Sequence, residues 1–397
     1  MRRLRASGAA VAGTLVGAVV ALAAQSSGAP TTTDPVPDPP PAVAARPTTF
    51  LAWVPRGLPA GFGRAVATIE ALDASTVVAE DIVWLRASWT AAGERVDDPR
   101  PGFAIPLDAA AIDPAGFAAF VPPTDRPAIA AVADGQAVLS TTGAALRDLD
   151  AGSTLEFDGG VRVRVAAIVP DDLVGAAELV VSRRLGRRIG IEHERYALVR
   201  PLAGDASAGE VKAELRPLLP EDLGVNRKIQ IRAPGDTPFF RAGDAVLPLA
   251  VVKALFGEFA ARPRPGAPGE LIVDPHWLRT NIVRVRIPGL DRPTSCHRLV
   301  VPQFERAMRA LVARSAGDAV RTYHGCFVPR YIGRDPSNML SYHSWGIAFD
   351  VNLAGNVRGL APRQPPVLVR TLERHGFTWG GRWLVPDGSH FEFHRFP

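Results

Sequence analysis

The chain has 397 residues, of which 47% are hydrophobic and 21% charged, with a formal net charge of +5. That length and apolar content exclude a single small domain and a disordered chain, and 37 glycines with 37 prolines argue against a helical bundle. The positive balance permits an anionic neighbour, but the densest basic cluster, "SRRLGRR" (Ser182 to Arg188), has no interleaved aromatics to stack on bases. It reads as a solvated face, and nucleic acid is not expected as a partner.

In chain order, "MRRLR" followed by the uncharged run Ala9 to Ala24 reads as an export signal spanning residues 1–28. Small residues at "ALA" (Ala21 to Ala23) favour cleavage, and retention as a single-pass anchor is the alternative. Such an anchor would be the only contact with a membrane. Residues 29–47, rich in proline and threonine, cannot form a core and should act as an extended spacer.

Residues 48–202 read as a β-rich domain of no assigned role. Within it, "TLEF" and "VRVRVAAIV" flank a "DGG" turn, which predicts a hairpin. This stretch faintly resembles the extracytoplasmic core domain of bacterial ABC-transporter permeases. "IEHERY" (Ile191 to Tyr196) is expected to be an exposed turn or helix end. Residues 203–269 read as a connecting region with a helix beginning in "SAGEVKAELRPLLPEDLG", a strand at "NRKIQIRA" and an amphipathic helix over Leu247 to Arg262.

From residue 270 the composition changes. Seven of the eight histidines and both cysteines, Cys296 and Cys326, lie in 270–397. In an exported chain an even pair of cysteines is most simply a disulfide, with a reduced buried pair as the alternative. "PQFERAMRALVARSAG" has helical spacing and ends at glycine. In "GIAFDVNL" the large apolar residues alternate with Ala348, Asp350 and Asn352, so the segment is a strand with Asp350 on its polar face, and His343 comes from the turn leading in. "SHFEFHRF" alternates in the same way and puts His390, Glu392 and His394 on one face. Four residues of strand separate His390 from His394 by about 13 Å, so the two cannot share one metal.

Asp387, in the "PDGSH" turn, can approach the same locus. Two imidazoles and a carboxylate on zinc, with a further carboxylate as proton acceptor, make a hydrolytic centre in which the metal lowers the pKa of its water to about 7. Each residue alone is more often structural than catalytic.

Taken together, "SYHSWGIAFD" and the downstream "GFTWGGRWLVPDGSHFEF" resemble the zinc D-alanyl-D-alanine carboxypeptidases of the VanY type and the related L-alanyl-D-glutamate endopeptidases of phage endolysins. The resemblance covers the C-terminal third only. It implies an α+β peptidase domain with a small antiparallel sheet, like that of Hedgehog and D-Ala-D-Ala peptidases, which here follows the β-rich N-terminal domain read from residues 48–202. It implies one Zn2+ per chain on His343, Asp350 and His390, and Asp387 as general base.

By the same resemblance Ser341 lies at the substrate lip, and an upstream arginine, Arg330 in preference to Arg334, supports the developing oxyanion or a substrate carboxylate. The family's usual Ser-Gly-Tyr-Arg wording is replaced by "TYHGCFVPR" (Thr322 to Arg330). Trp379 and Trp383 either line the groove or pack beneath the turn, His324 borders the cleft, and Glu392 and His394 support the ligands or lie at the surface.

The implied partners are peptidoglycan stem peptides, met outside the cytoplasmic membrane. Carboxypeptidase and endopeptidase cleavage both remain open. The competing reading is a non-catalytic wall-binding or scaffold protein that retains the zinc domain.

Overall fold

The computed structural model describes residues 48–221, 228–245 and 247–397. The export signal and the spacer expected over 1–28 and 29–47 lie outside the described residues. No helix among the described residues is long and apolar enough to cross a membrane.

The N-terminal portion is built on a nine-stranded sheet of β1 (Phe50–Trp53), β2 (Leu72–Trp89), β3 (Ile105–Ile112), β4 (Ala137–Ser140), β5 (Thr154–Phe157), β6 (Val161–Val169), β7 (Leu179–Ser182), β8 (Glu194–Pro201) and β9 (Gln230–Arg232), in the order β3-β7-β4-β6-β5-β2-β8-β1-β9. Because the long β2 pairs with β3 as well as with β5 and β8, six of these strands close on themselves. Closure hides strand edges that would otherwise be open to other chains. The hairpin expected around "DGG" is present as β5 and β6. The "SRRLGRR" cluster forms the helix Arg183–Ile189, capped by Ser182 Oγ and burying Leu185 and Ile189.

The C-terminal portion is a mixed α+β layer with three small antiparallel sheets: β10 (Ala261–Arg264) with β11 (Ala267–Val273), β12 (Ile282–Val285) with β13 (Thr294–His297), and β14 (Ala348–Asp350), β15 (Phe377–Trp379) and β16 (His390–Phe393) in the order β14-β16-β15. Helices Val301–Val312 and Pro366–Arg374 pack against the last of these, with Phe304 stacked on Phe349 at a centroid distance of 4.1 Å. The helix expected over Leu247 to Arg262 is shorter, Leu249–Phe256. Gly257, at φ 84°, ends it, and Ala261 onward is drawn into β10 by pairing with β11.

These two portions form one compact unit. Ile82 of β2 is buried in the C-terminal core, and Lys253, 1% exposed, places Nζ 2.8 Å from Glu178, immediately before β7, and 2.9 Å from Glu258. Glu178 also pairs with Arg147 at 3.2 Å. A buried ion pair of this kind holds the two portions in register, since parting its members would strand charge in a low-dielectric interior.

His297 sits inside the C-terminal core at 1% exposure, its Nε2 3.0 Å from the Phe256 carbonyl. Burial pulls its pKa down to about 4, only partly offset by that hydrogen bond. A depressed folded-state pKa contributes stability that is complete above the unfolded value of about 6.5 and is lost as pH falls through that value towards 4. Denaturant midpoints measured from pH 7 to pH 4 should therefore show roughly 2–3 kcal/mol of lost stability, and His297→Gln should flatten the slope.

Candidate metal centre

Three ligand types converge because of one register. In the antiparallel pairing of β14 with β16, Asp350 stands directly opposite His390 and Ala348 opposite Glu392. Alternation then sends Phe349 and Phe391 into the core and the polar pair to the other face. His343 arrives from the short 3-10 turn Tyr342–Ser344, whose first residue is preceded by Ser341; the Ser341 Oγ accepts the His343 N–H at 3.4 Å.

Gly346, at φ 68°, reverses the chain between this turn and β14. A Cβ there would meet His297 N at 2.9 Å. The Trp-Gly-Gly-x-Trp segment has a similar steric reason. A Cβ on Gly380 would meet the Asp387 carbonyl at 2.8 Å, because the Asp387 N–H donates back to the Gly380 carbonyl at 2.8 Å.

The ligand atoms of His343, Asp350 and His390 all lie within 4.8 Å of one another. His343 Nε2 is 3.3 Å from Asp350 Oδ2, and His390 Nδ1 is 3.1 Å from Asp350 Oδ1. His343 is completely buried, and its Nδ1 lies 2.9 Å from the Cys326 carbonyl. A carbonyl can only accept, so Nδ1 carries the proton and Nε2 presents a bare lone pair towards the carboxylate. Burial also lowers the pKa of His343, which opposes a second proton on the ring. The Nε2 atom accordingly has no hydrogen-bond partner.

A cation between Nε2 and Asp350 would satisfy both, so the donor set fits a metal. One carboxylate and two imidazoles suit zinc.

His390 completes the arrangement differently. Its Nε2 lies 3.1 Å from Glu392 Oε2, which orients the ring. Burial would lower its pKa, but the flanking Asp350 and Glu392 carboxylates lift it to about 10. Burial raises the Asp350 pKa, but the charged His390 ring beside it holds the carboxylate well below its usual range. Without metal, the pair rests as an imidazolium between two carboxylates, and a metal taking Nδ1 would have to displace its proton.

Asp350 and His390, but not the fully buried His343, line a cavity of about 440 Å³ together with Arg330, Ser341, Asp387 and Glu392. Arg330 Nη2 stands 3.7 Å from Asp350 Oδ2, and burial lowers the guanidinium pKa. Arg334 reaches the cavity rim but is held by Glu270 at 3.0 Å. Asp387 Oδ1 accepts from Ser389 Oγ at 3.2 Å, and Oδ2 makes no hydrogen bond among the described residues.

Trp383 lines the cavity, with its ring 5.1 Å from that of His390, whereas Trp379 packs under the turn and donates to the Gly388 carbonyl at 2.9 Å. His324 is exposed and contributes only its backbone N–H, which donates to the Asp350 carbonyl at 2.9 Å. The expected disulfide joins Cys296 to Cys326, the residue whose carbonyl fixes His343.

Glu392, left between support and surface by the sequence, is 3% exposed and bonded to His390. Its shared strand face with His390 was the available signal. His394 lies past the end of β16 and makes no contact with the group.

Residues 334–393 match a family model described as D-alanyl-D-alanine carboxypeptidase. The matched segment contains all three metal-facing residues and Asp387. No curated protein matches the chain. Among solved structures, the chain is similar to the periplasmic region of MacB from Actinobacillus actinomycetemcomitans, at 13% identity over 47% of this chain and 88% of that one, with a TM-score of 0.31. It is also similar to the extracellular domain of the noncanonic ABC-type transporter YknZ from Gram-positive bacteria, at 13% identity over 46% and 99%, with a TM-score of 0.30. A domain of a permease protein from Porphyromonas gingivalis aligns at 13% identity over 52% and 95%, with a TM-score of 0.29.

Zinc added to chelator-treated protein should raise its melting temperature, and His343→Ala should abolish that rise. Glu392→Ala should weaken zinc affinity by roughly 10- to 100-fold in a competition titration against a chromophoric chelator, because it frees the His390 ring.

Proposed function

We propose that the chain is an exported zinc metallopeptidase that hydrolyses peptidoglycan stem peptides. The reading rests on one observation above all: a His343–Asp350–His390 group with an unaccounted imidazole lone pair, whose Asp350 and His390 line a cavity with Asp387, inside the carboxypeptidase-matched segment. The disulfide and the basic-apolar N-terminus support a site outside the cytoplasmic membrane.

In this reading His343, Asp350 and His390 hold the zinc. Bound there, the metal would supply Lewis acidity towards an amide carbonyl and lower the pKa of water. Asp387 takes a proton at its uncommitted Oδ2 and returns it to the leaving amine, while its Oδ1 is kept in place by Ser389. Arg330 faces the same cavity and offers positive charge to an oxygen that becomes negative as the amide is attacked. Ser341 lines the wall beside them and contacts the peptide.

Incubating the full chain with defined muropeptides, with and without chelator, tests the reading by mass spectrometry. A metal-dependent peptide product is expected. Asp387→Ala should cut its rate by roughly 10²- to 10⁴-fold with zinc content retained. Wild-type protein that binds zinc and muropeptides but yields no product would favour the wall-binding alternative.

A further inference from the structure

The metal-facing cavity is not made by the matched segment alone. Trp53 at the end of β1, Glu80 on β2, Arg195 on β8 and Arg241 in the loop after β9 also line it. Glu80 is the unusual member. It is 3% exposed, yet its carboxyl forms no hydrogen bond or ion pair among the described residues. Its main chain is committed, the N–H donating to the His193 carbonyl at 3.0 Å and the carbonyl accepting from Arg195 Nε at 2.8 Å. The register between β2 and β8 breaks between Val78 and Ala79, immediately before Glu80. Such a bulge is a common means of re-aiming a side chain towards a site.

The surrounding charges are largely committed to other groups, with Arg241 Nη1 left without a hydrogen-bond partner. Arg195 Nη2 bonds Asp81 Oδ1 at 2.8 Å and the Ser337 carbonyl, and Arg241 Nη2 bonds Asp108 Oδ2 at 2.9 Å. His193, at the edge of this group, is turned to Asp81 at 2.8 Å. Glu80, Asp81 and Asp108 face two guanidiniums and the His193 ring, and burial raises the Glu80 pKa to about 7, so Glu80 is the carboxyl that a bound cation would ionise. The cavity around it also presents Trp53, Leu247 and Leu249, which suit an alkyl chain.

We infer that Glu80 forms the base of a side-chain subsite that accepts a primary ammonium on an aliphatic stem, supplied by the diamino residue of the substrate peptide. An ammonium has only donors to offer, which matches an unpartnered carboxyl, and its charge favours the ionised form of that carboxyl. A carboxylate in the same place would meet the Glu80 carboxyl and add a fourth acidic group to the cluster. This inference rests on the peptidase reading for the identity of the ligand, but its binding energy does not depend on the metal.

Calorimetry on the full, chelator-treated chain with L-alanyl-γ-D-glutamyl-L-lysine and its Nε-acetylated form is the test. The free amine should bind roughly 10- to 100-fold more tightly, as expected for a hydrogen bond to a charged group. In Glu80→Gln the ratio should collapse to within about twofold, the change expected when that charge-assisted bond is lost.

Equal affinities in the wild type, binding of neither peptide, or a preference that survives Glu80→Gln would overturn the subsite. If the variant does not fold, the wild-type comparison alone decides. Zinc-dependent hydrolysis without any preference for the amine would remove the subsite and leave the peptidase reading intact, whereas a preference without hydrolysis would do the reverse.

Discussion

The C-terminal portion depends on a carboxylate shared by two buried histidines. Asp350 is fixed by its place opposite His390 in the β14–β16 pairing, and His343 by the hydrogen bond from its Nδ1 to the Cys326 carbonyl. Neither histidine can turn away without losing a partner in an interior where unpaired polar groups cost about 1–3 kcal/mol each. The fold therefore sets an imidazole nitrogen against a carboxylate, a geometry that a cation between them would satisfy. The neighbouring structure follows from this requirement. The disulfide sets the Cys326 carbonyl, Gly346 lets the chain reverse between ligands, and Gly380 lets the Trp-Gly-Gly loop close on Asp387.

Two of the three converging residues, Asp350 and His390, were legible as neighbours because each lies in a short segment with its own periodicity. Alternation in "GIAFDVNL" and "SHFEFHRF" put Asp350 and His390 on polar faces, and the antiparallel register then brought them together. The same alternation carried Glu392, whose role stayed undecided because a strand face alone does not say which side chains point at a ligand and which at solvent.

What the sequence could not disclose was long-range. Glu80 and His390 are 310 positions apart, and nothing local marks a glutamate in "VVAEDIVW" as facing a cavity. The bulge that aims it is a property of pairing between β2 and β8. Helix length failed for a comparable reason: the apolar spacing of Leu247 to Arg262 runs on past Gly257, but tertiary pairing with β11 takes the later residues as strand.

The large sheet contains no metal-facing residue, yet it borders the metal-facing cavity and shares buried charge with the C-terminal core. Lys253 lies in the C-terminal helix Leu249–Phe256 and has its carboxylate partner Glu178 on the sheet side. Separating the portions would leave a buried ammonium with Glu258 alone, and breaking such a pair typically costs about 3–5 kcal/mol. The Ile82 side chain would leave the C-terminal core at the same time. A segment starting after the sheet would thus be weakened in its core and would lack the wall that carries Trp53, Glu80 and Arg195. In physical terms the cavity, rather than the matched segment, is the unit that would meet a ligand, and the sheet forms part of its wall.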